Sequence, residues 1–170
     1  MDVSKAIRLR RSIRKYKPQP VEGEKLMRIL EAGRLAPSAR NRQPWHLVVV
    51  TDPATRGRLY HSYAKDWFVS APVILVVCAD PEVAWVRADG EEYWKVDAAI
   101  ALQNMILAAT EEGLGTCWVA DFKESLVKEI LGIPSNIRVV AMTPLGYPDE
   151  EKGEVTDRKP LTMILHREHW

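Results

Sequence analysis

Residues 95–112 carry a helical pattern that is apolar on almost every side. Val96, Ala99, Ile100, Gln103, Ile106 and Leu107 form one stripe at helical spacing, and Ala98, Ala101, Leu102, Met105 and Ala108 make the other sides apolar as well. A helix of this kind belongs in a protein interior or in a subunit interface. Gly113 stands where a C-cap would end it. The rest of the chain must supply layers that cover this helix, or a second copy must.

The remaining pattern supplies strands and further helices. Residues 73–79, Val-Ile-Leu-Val-Val-Cys-Ala, form a nearly continuous apolar run opened by Pro72, as in a strand buried on both faces. Further strands are expected over 46–51, 116–119, 137–142 and 160–165. Helices are expected over 2–9, 22–35, 54–63 and 123–131. In the second of these, Leu26, Ile29, Leu30 and Gly33 share one face, Gly33 weakens the end and Pro37 stops it. Residues 80–93 mix Pro81, Gly90, acidic residues and Trp85, and read as irregular or short helix. Strands alternating with helices give an α/β or α+β sheet packed by helices. At 170 residues, one domain spanning 1–170 is expected. No apolar stretch approaches the roughly 20 residues that span a bilayer. The start of the chain lacks a signal-peptide core, so a cytoplasmic protein is expected. Cys78 and Cys117 read as small buried hydrophobes, with no disulfide and no metal site.

Two short segments carry the chemistry. Residues 1–20 hold seven Lys/Arg against Asp2 alone, a local +6 in a chain whose net charge is +1. Within that arm, Arg10, Arg11, Ser12 and Arg14 suit a phosphate, because a guanidinium grips phosphate through two parallel donors and a serine adds one more. On an extended backbone, Arg10, Ser12 and Arg14 share one side and Arg11 takes the other. The second segment, residues 36–45, offers Ser38, Asn41 and Gln43 as neutral hydrogen-bonding groups. Pro37 and Pro44 restrict its backbone and Trp45 anchors one end. Such a loop suits a planar polar ring. A phosphate at one end and a polar heteroaromatic ring at the other describe flavin mononucleotide (FMN).

The order of these motifs is similar to that of the nitroreductase family of FMN-dependent oxidoreductases. The resemblance rests on Arg10-Arg11-Ser12-Ile13-Arg14, on Ala36-Pro37-Ser38-Ala39 and on Asn41-Arg42-Gln43-Pro44-Trp45. It continues through Gly113-Leu114-Gly115-Thr116-Cys117-Trp118 to Arg158-Lys159-Pro160-Leu161. It implies an α+β, three-layer fold with a central, mostly antiparallel sheet flanked by helices, assembled as an intertwined homodimer. It implies that Arg10 and Ser12 serve the phosphate and ribityl end, with Arg11 in the same arm and Arg14 nearer the pyrimidine edge. A fixed cation there would stabilise the charge that reduction leaves near N1 and O2. It implies that Pro37, Ser38, Ala39, Asn41 and Gln43 reach a cofactor bound mainly by the other subunit. Backbone N–H groups of Val119, Ala120 and Asp121 would lie near N5, and Arg158 and Lys159 would return to the phosphate.

The expected activity is hydride transfer from NADH or NADPH through flavin N5 to an oxidised acceptor, a nitroaromatic, quinone or similar small molecule, by a ping-pong mechanism. No side chain need act as acid or nucleophile. Asp121 stands where the family often has glycine and either tunes the flavin or caps the helix that follows. Arg40 and Arg42 face solvent or the incoming pyridine nucleotide. Residues 64–68 match no expected flavin contact. The rival readings are a nucleic-acid-binding protein using the basic arm, whose affinity would fall steeply with salt, and a flavin carrier without turnover. The acidic remainder of the chain argues against nucleic acid. The absence of a G-x-G-x-x-G motif argues against a dinucleotide-binding Rossmann fold. His46, His61, His166 and His169 are scattered, with no triad or ligand pair among them.

Overall fold

The computed structural model describes residues 2–170. Its strands are β1 (Trp45–Val50), β2 (Val73–Ala79), β3 (Gly115–Thr116) and β4 (Arg138–Gly146). They form one antiparallel sheet in the order β1-β2-β4-β3. The helices are α1 (Val3–Leu9), α2 (Gly23–Arg34), α3 (Pro53–Arg58), α4 (Asp66–Ser70), α5 (Trp94–Glu111) and α6 (Glu124–Leu131).

Strand alternation builds the three layers. Every residue of β2 is buried, and its side chains divide by parity. Val73, Leu75, Val77 and Ala79 join Ile29 of α2 and Ala98, Leu102 and Met105 of α5 in one core. Ile74, Val76 and Cys78 join Leu59, Phe68 of α4 and Val127 of α6 in the other. A strand covered on both faces can be apolar throughout, which is why β2 shows no polar alternation. The α2–α5 contact is close: a Cβ on Gly33 would stand 2.8 Å from Met105 Cγ. Gly33 thus serves helix packing more than it weakens a helix end. Both cysteines are free and buried, and burial pushes the Cys78 thiol up to about 11.

Three expectations about elements need correction. Residues 160–165 are not a strand. They turn through a single 3-10 segment, Leu161–Met163, and Leu161, Met163, Ile164 and Leu165 are exposed; apolar alternation without a sheet edge to join does not make a strand. Residues 116–119 form only the end of β3 followed by a lone bridge from Val119 to Met142. The Cys117 N–H between them bonds Thr143 Oγ1 instead of a ladder carbonyl. Asp121 does not cap α6: the residue preceding that helix is Lys123, which makes no side-chain capping bond.

In α5, Ala98, Ala101, Leu102, Met105, Ile106 and Ala109 are buried, whereas Val96 and Gln103 of the expected stripe stay exposed and Ala99, Ile100 and Leu107 are half-covered. Residues 80–93 are irregular as expected, a two-turn excursion closed by a Val86–Glu92 bridge and a Trp85–Tyr93 ring contact. No helix among the described residues is long and apolar enough to cross a membrane.

Candidate functional site

The arginine arm leaves α1 at Arg10 and runs extended beside β3. Ser12 bridges Thr116 in parallel, and the Ile13 N–H donates to the Thr116 carbonyl at 2.9 Å. The approach requires Gly115, since a Cβ there would stand 2.7 Å from Ile13 Cγ1. Ile13 and Tyr16 are buried with Ala71 in a small third core. The buried Tyr16 hydroxyl donates to the Ile13 carbonyl at 2.6 Å, and desolvation raises its pKa far above the ordinary phenol value. With Ile13 inward, the alternation sends Arg10, Ser12 and Arg14 to the other side. Among the described residues, Arg10, Arg11 and Arg14 pair with no carboxylate, whereas Arg28, Arg34, Arg87 and Arg138 each do. Guanidinium groups held by a fixed backbone beside a serine hydroxyl, and left without counter-ions, make a donor set that fits a phosphate ester.

Arg14 has a partner that the sequence did not disclose. Its guanidinium lies over the Trp67 ring, 5.7 Å from the centroid. Trp67 itself stands edge-on to Tyr63 and Phe68. Trp67, in the segment 64–68 for which no site contact was expected, therefore forms the floor under Arg14. Tyr63 has a pKa raised chiefly by burial, with Arg14 and Asp121 among the charges it senses. The Lys123 N–H donates to the Ser62 carbonyl at 3.0 Å, which holds the chain just after the 119–121 turn against the segment that carries Tyr63 and Trp67. The turn's donors are fewer than the motif implied. The Val119 N–H is committed to the Met142 carbonyl at 2.9 Å. Among the described residues, the Ala120 and Asp121 N–H groups donate to no protein acceptor.

The second segment is a tight loop in an unusual backbone state. Arg40, Asn41 and Gln43 have φ of 51°, 54° and 50°, a left-handed region that costs non-glycine residues energy. Internal bonds hold it. The Gln43 N–H donates to Ser38 Oγ at 2.9 Å and Gln43 Nε2 donates to the Asn41 carbonyl at 3.1 Å. The external tether is Asp97, in the first turn of α5, whose Oδ1 accepts the Ala39 N–H at 2.9 Å. Asp97 is 1% exposed, and its Oδ2 is buried without a partner among the described residues. Pro37, Asn41, Arg40 and Arg42 are exposed. Beside the loop, the Asp80 N–H donates to the Pro44 carbonyl at 2.8 Å, so the 80–93 excursion starts against it.

One chain does not bring these two segments together. The loop is tied to Asp97 at the start of α5, whereas the arm lies at the other end. There, Arg11 and Ile13 share a hollow of about 210 Å³ with Thr110 and Gly113. Thirteen helical residues separate Asp97 from Thr110, an axial rise of about 20 Å at ~1.5 Å per residue. Between the two ends lies the uncovered apolar stripe of α5, where Val96, Ala99, Ile100 and Gln103 join Trp118 around an open concavity of about 520 Å³. Arg158 donates to the neighbouring Asp157 carbonyl, and Lys159 is exposed; among the described residues neither bonds a residue of the arm.

The two motif segments, the three-layer antiparallel sheet and the long central helix define a class of protein, and comparison with known proteins gives it a name. The model of the nitroreductase family matches residues 7–69 and 61–147. A protein of Archaeoglobus fulgidus, provisionally named an NADH dehydrogenase/NAD(P)H nitroreductase, is 38% identical, covering 98% of this chain and 97% of that protein. A nitroreductase family protein from Clostridium difficile 630 superposes with a TM-score of 0.91 at 30% identity over 100% of both chains. An FMN-dependent nitroreductase from Clostridium difficile R20291 gives a TM-score of 0.83 at 34% identity, over 95% of this chain and 96% of that one. The chain belongs to the nitroreductase family and is an oxidoreductase.

Proposed function

We propose that this protein is an FMN-dependent oxidoreductase that takes hydride from NADH or NADPH and delivers it to a small oxidised acceptor, a nitroaromatic, quinone or similar molecule. Two copies share each site. The observation that carries this reading is the pair of half-sites at opposite ends of α5, separated by about 20 Å and joined by an apolar stripe that the chain itself leaves uncovered. A two-fold partner laid along that stripe sets the loop of one chain against the arm of the other. The names of the relatives, which include NAD(P)H and FMN, support the same reading.

When bound, FMN supplies two-electron hydride chemistry at N5, accepting from the nicotinamide and giving to the acceptor in turn, as in a ping-pong cycle. The chain's own residues bind and orient. Arg10 and Ser12 would hold the phosphate end; Arg11, bonded to the Gly153 carbonyl, and Arg158 and Lys159, which bond no residue of the arm, would have to turn toward it. Arg14, seated on Trp67, would supply a positive charge to the pyrimidine edge. The Ala120 and Asp121 N–H groups would be the donors available to the flavin ring, while Val119 fixes the turn to β4. Pro37, Ser38, Ala39, Asn41 and Gln43 present a loop whose shape is fixed before any ligand arrives, which lowers the ordering cost of binding.

The test is spectroscopic. The purified protein should carry flavin absorbance, bleach with NADH or NADPH under anaerobic conditions, and recover colour when a quinone or nitroaromatic is added. Flavin that no pyridine nucleotide reduces would make the protein a carrier, and a colourless protein that fails to take up FMN would end the proposal.

A further inference from the structure

The arm is fastened on its second edge in a way the fold does not require. From Lys15 to Lys17 it pairs conventionally with the chain after β4: the Asp149 N–H donates to the Lys15 carbonyl and the Lys17 N–H to the Tyr147 carbonyl, both at 2.9 Å. At Ser12–Arg14 the backbone ladder stops and side chains replace it. Glu150 Oε1 accepts the Arg14 N–H at 2.5 Å. Lys152 Nζ donates to the Ser12 carbonyl at 2.7 Å. The two side chains pair with each other at 3.0 Å, each about a quarter exposed. The Arg11 guanidinium then reaches the Gly153 carbonyl. A carboxylate and an ammonium two residues apart thus bracket Ile13 from one side while Thr116 holds it from the other.

We propose that Glu150 and Lys152 are positioning residues for the arm, a side-chain splint that keeps Arg10, Ser12 and Arg14 aligned for the phosphate and pyrimidine ends of FMN. The inference rests on the FMN reading above. It carries a sign that separates it from simple electrostatics. Glu150 is an anion close to a site for an anion. If charge alone mattered, removing it would tighten FMN binding, by a margin that added salt erases. If the splint matters, removing it weakens binding although a repulsive charge is lost. The weakening persists in salt, because a backbone bond to a half-buried carboxylate is poorly screened.

The experiment compares Glu150→Ala and Glu150→Gln with the unmodified protein. In the FMN-free protein, amide exchange at Arg14 should accelerate about tenfold or more in Glu150→Ala, the size expected for loss of a hydrogen bond to a charged acceptor. Glu150→Gln keeps an oxygen for the Arg14 N–H and should recover part of that protection. In FMN titrations at low and at high salt, Glu150→Ala should raise Kd about tenfold, with Glu150→Gln between. Unchanged Arg14 exchange overturns the splint, and so does a Kd for Glu150→Ala that is unchanged or tighter. Failure of the unmodified protein to bind FMN overturns the flavin reading instead, and the Arg14 exchange still decides the splint. Should Glu150→Ala not fold, Glu150→Gln alone must show both effects in reduced size.

Discussion

Asp97 is the point where one substitution tests the rigidity of the loop. Replacing it by Ala leaves the Ala39 N–H without its acceptor and frees a loop in which Arg40, Asn41 and Gln43 occupy the left-handed region. A buried donor that loses its partner costs about 1–3 kcal/mol. Part of that is returned, because the unpartnered Oδ2 leaves with the side chain. The net loss should be about 1–2 kcal/mol, or roughly 2–8 °C in Tm at this chain length. Asp97→Asn keeps an oxygen for Ala39 and gives the buried site a donor in place of the orphan oxygen, so it should lose less than half as much. Calorimetry of both variants measures the stability. FMN titration then reports the loop, which should bind less tightly in Asp97→Ala while Arg14 amide exchange stays as in the unmodified protein. Equal Tm values for Asp97→Ala and the unmodified protein would refute the reasoning, as would an Asp97→Asn as damaged as Asp97→Ala.

Arg10→Ala should weaken FMN binding by about tenfold to a hundredfold through loss of a charge-assisted bond, measured by titrating the flavin-free protein. Arg14→Gln should lower the bound two-electron midpoint potential by about 30 mV, equivalent to about 1.4 kcal/mol, and by more than Arg10→Ala does in the same dye-coupled reduction. Ile100→Glu, in the middle of the uncovered stripe of α5, should yield a monomer in sedimentation that has lost FMN binding with little change in helix content. Glu124 accepts from Arg138 Nε and from the Val139 N–H, both at 2.9 Å. The Arg138 bond leads in holding its carboxyl below the ordinary 4.5. Its stabilisation is therefore complete above about pH 5 and fades as pH falls through the depressed value. Acid titrations should find Glu124→Gln less stable than the unmodified protein at pH 7, with the gap closing below pH 4.

What the chain disclosed before folding follows a physical division. Elements whose identity is local and strongly patterned were legible: the doubly buried run of β2, the length of α5, and the end of α6 at Gly132, whose φ of 65° makes it the left-handed cap. The side of α5 that faces the core was not legible, because both sides are apolar and only tertiary packing separates Ala98 and Leu102 from Val96 and Ile100. Residues 160–165 carried strand-like residues with no partner to pair. In the site, charge and side-chain type identified the arm and the loop. Trp67 beneath Arg14 and the Glu150–Lys152 bracket lie 53 and more than 130 residues away in sequence from what they touch. Such contacts leave no mark in local composition. Backbone chemistry was equally silent: nothing in the type of Val119 says that its N–H already belongs to Met142.

The distance between Asp97 and the arm along α5 has a genetic consequence. With each site shared by two copies as proposed, a chain weakened in its arm and a chain weakened in its loop each carry a lesion in every site when paired with themselves. Paired with one another, they place both lesions in one site and none in the other. Co-expression of Arg10→Ala and Asp97→Ala chains should therefore restore about a quarter of the sites through random pairing of two-fold dimers. Mixtures of two arm variants, or of two loop variants, should restore none. A site built within one chain would show no such rescue, so a growth or reductase assay on mixed alleles counts subunits without any separation of species.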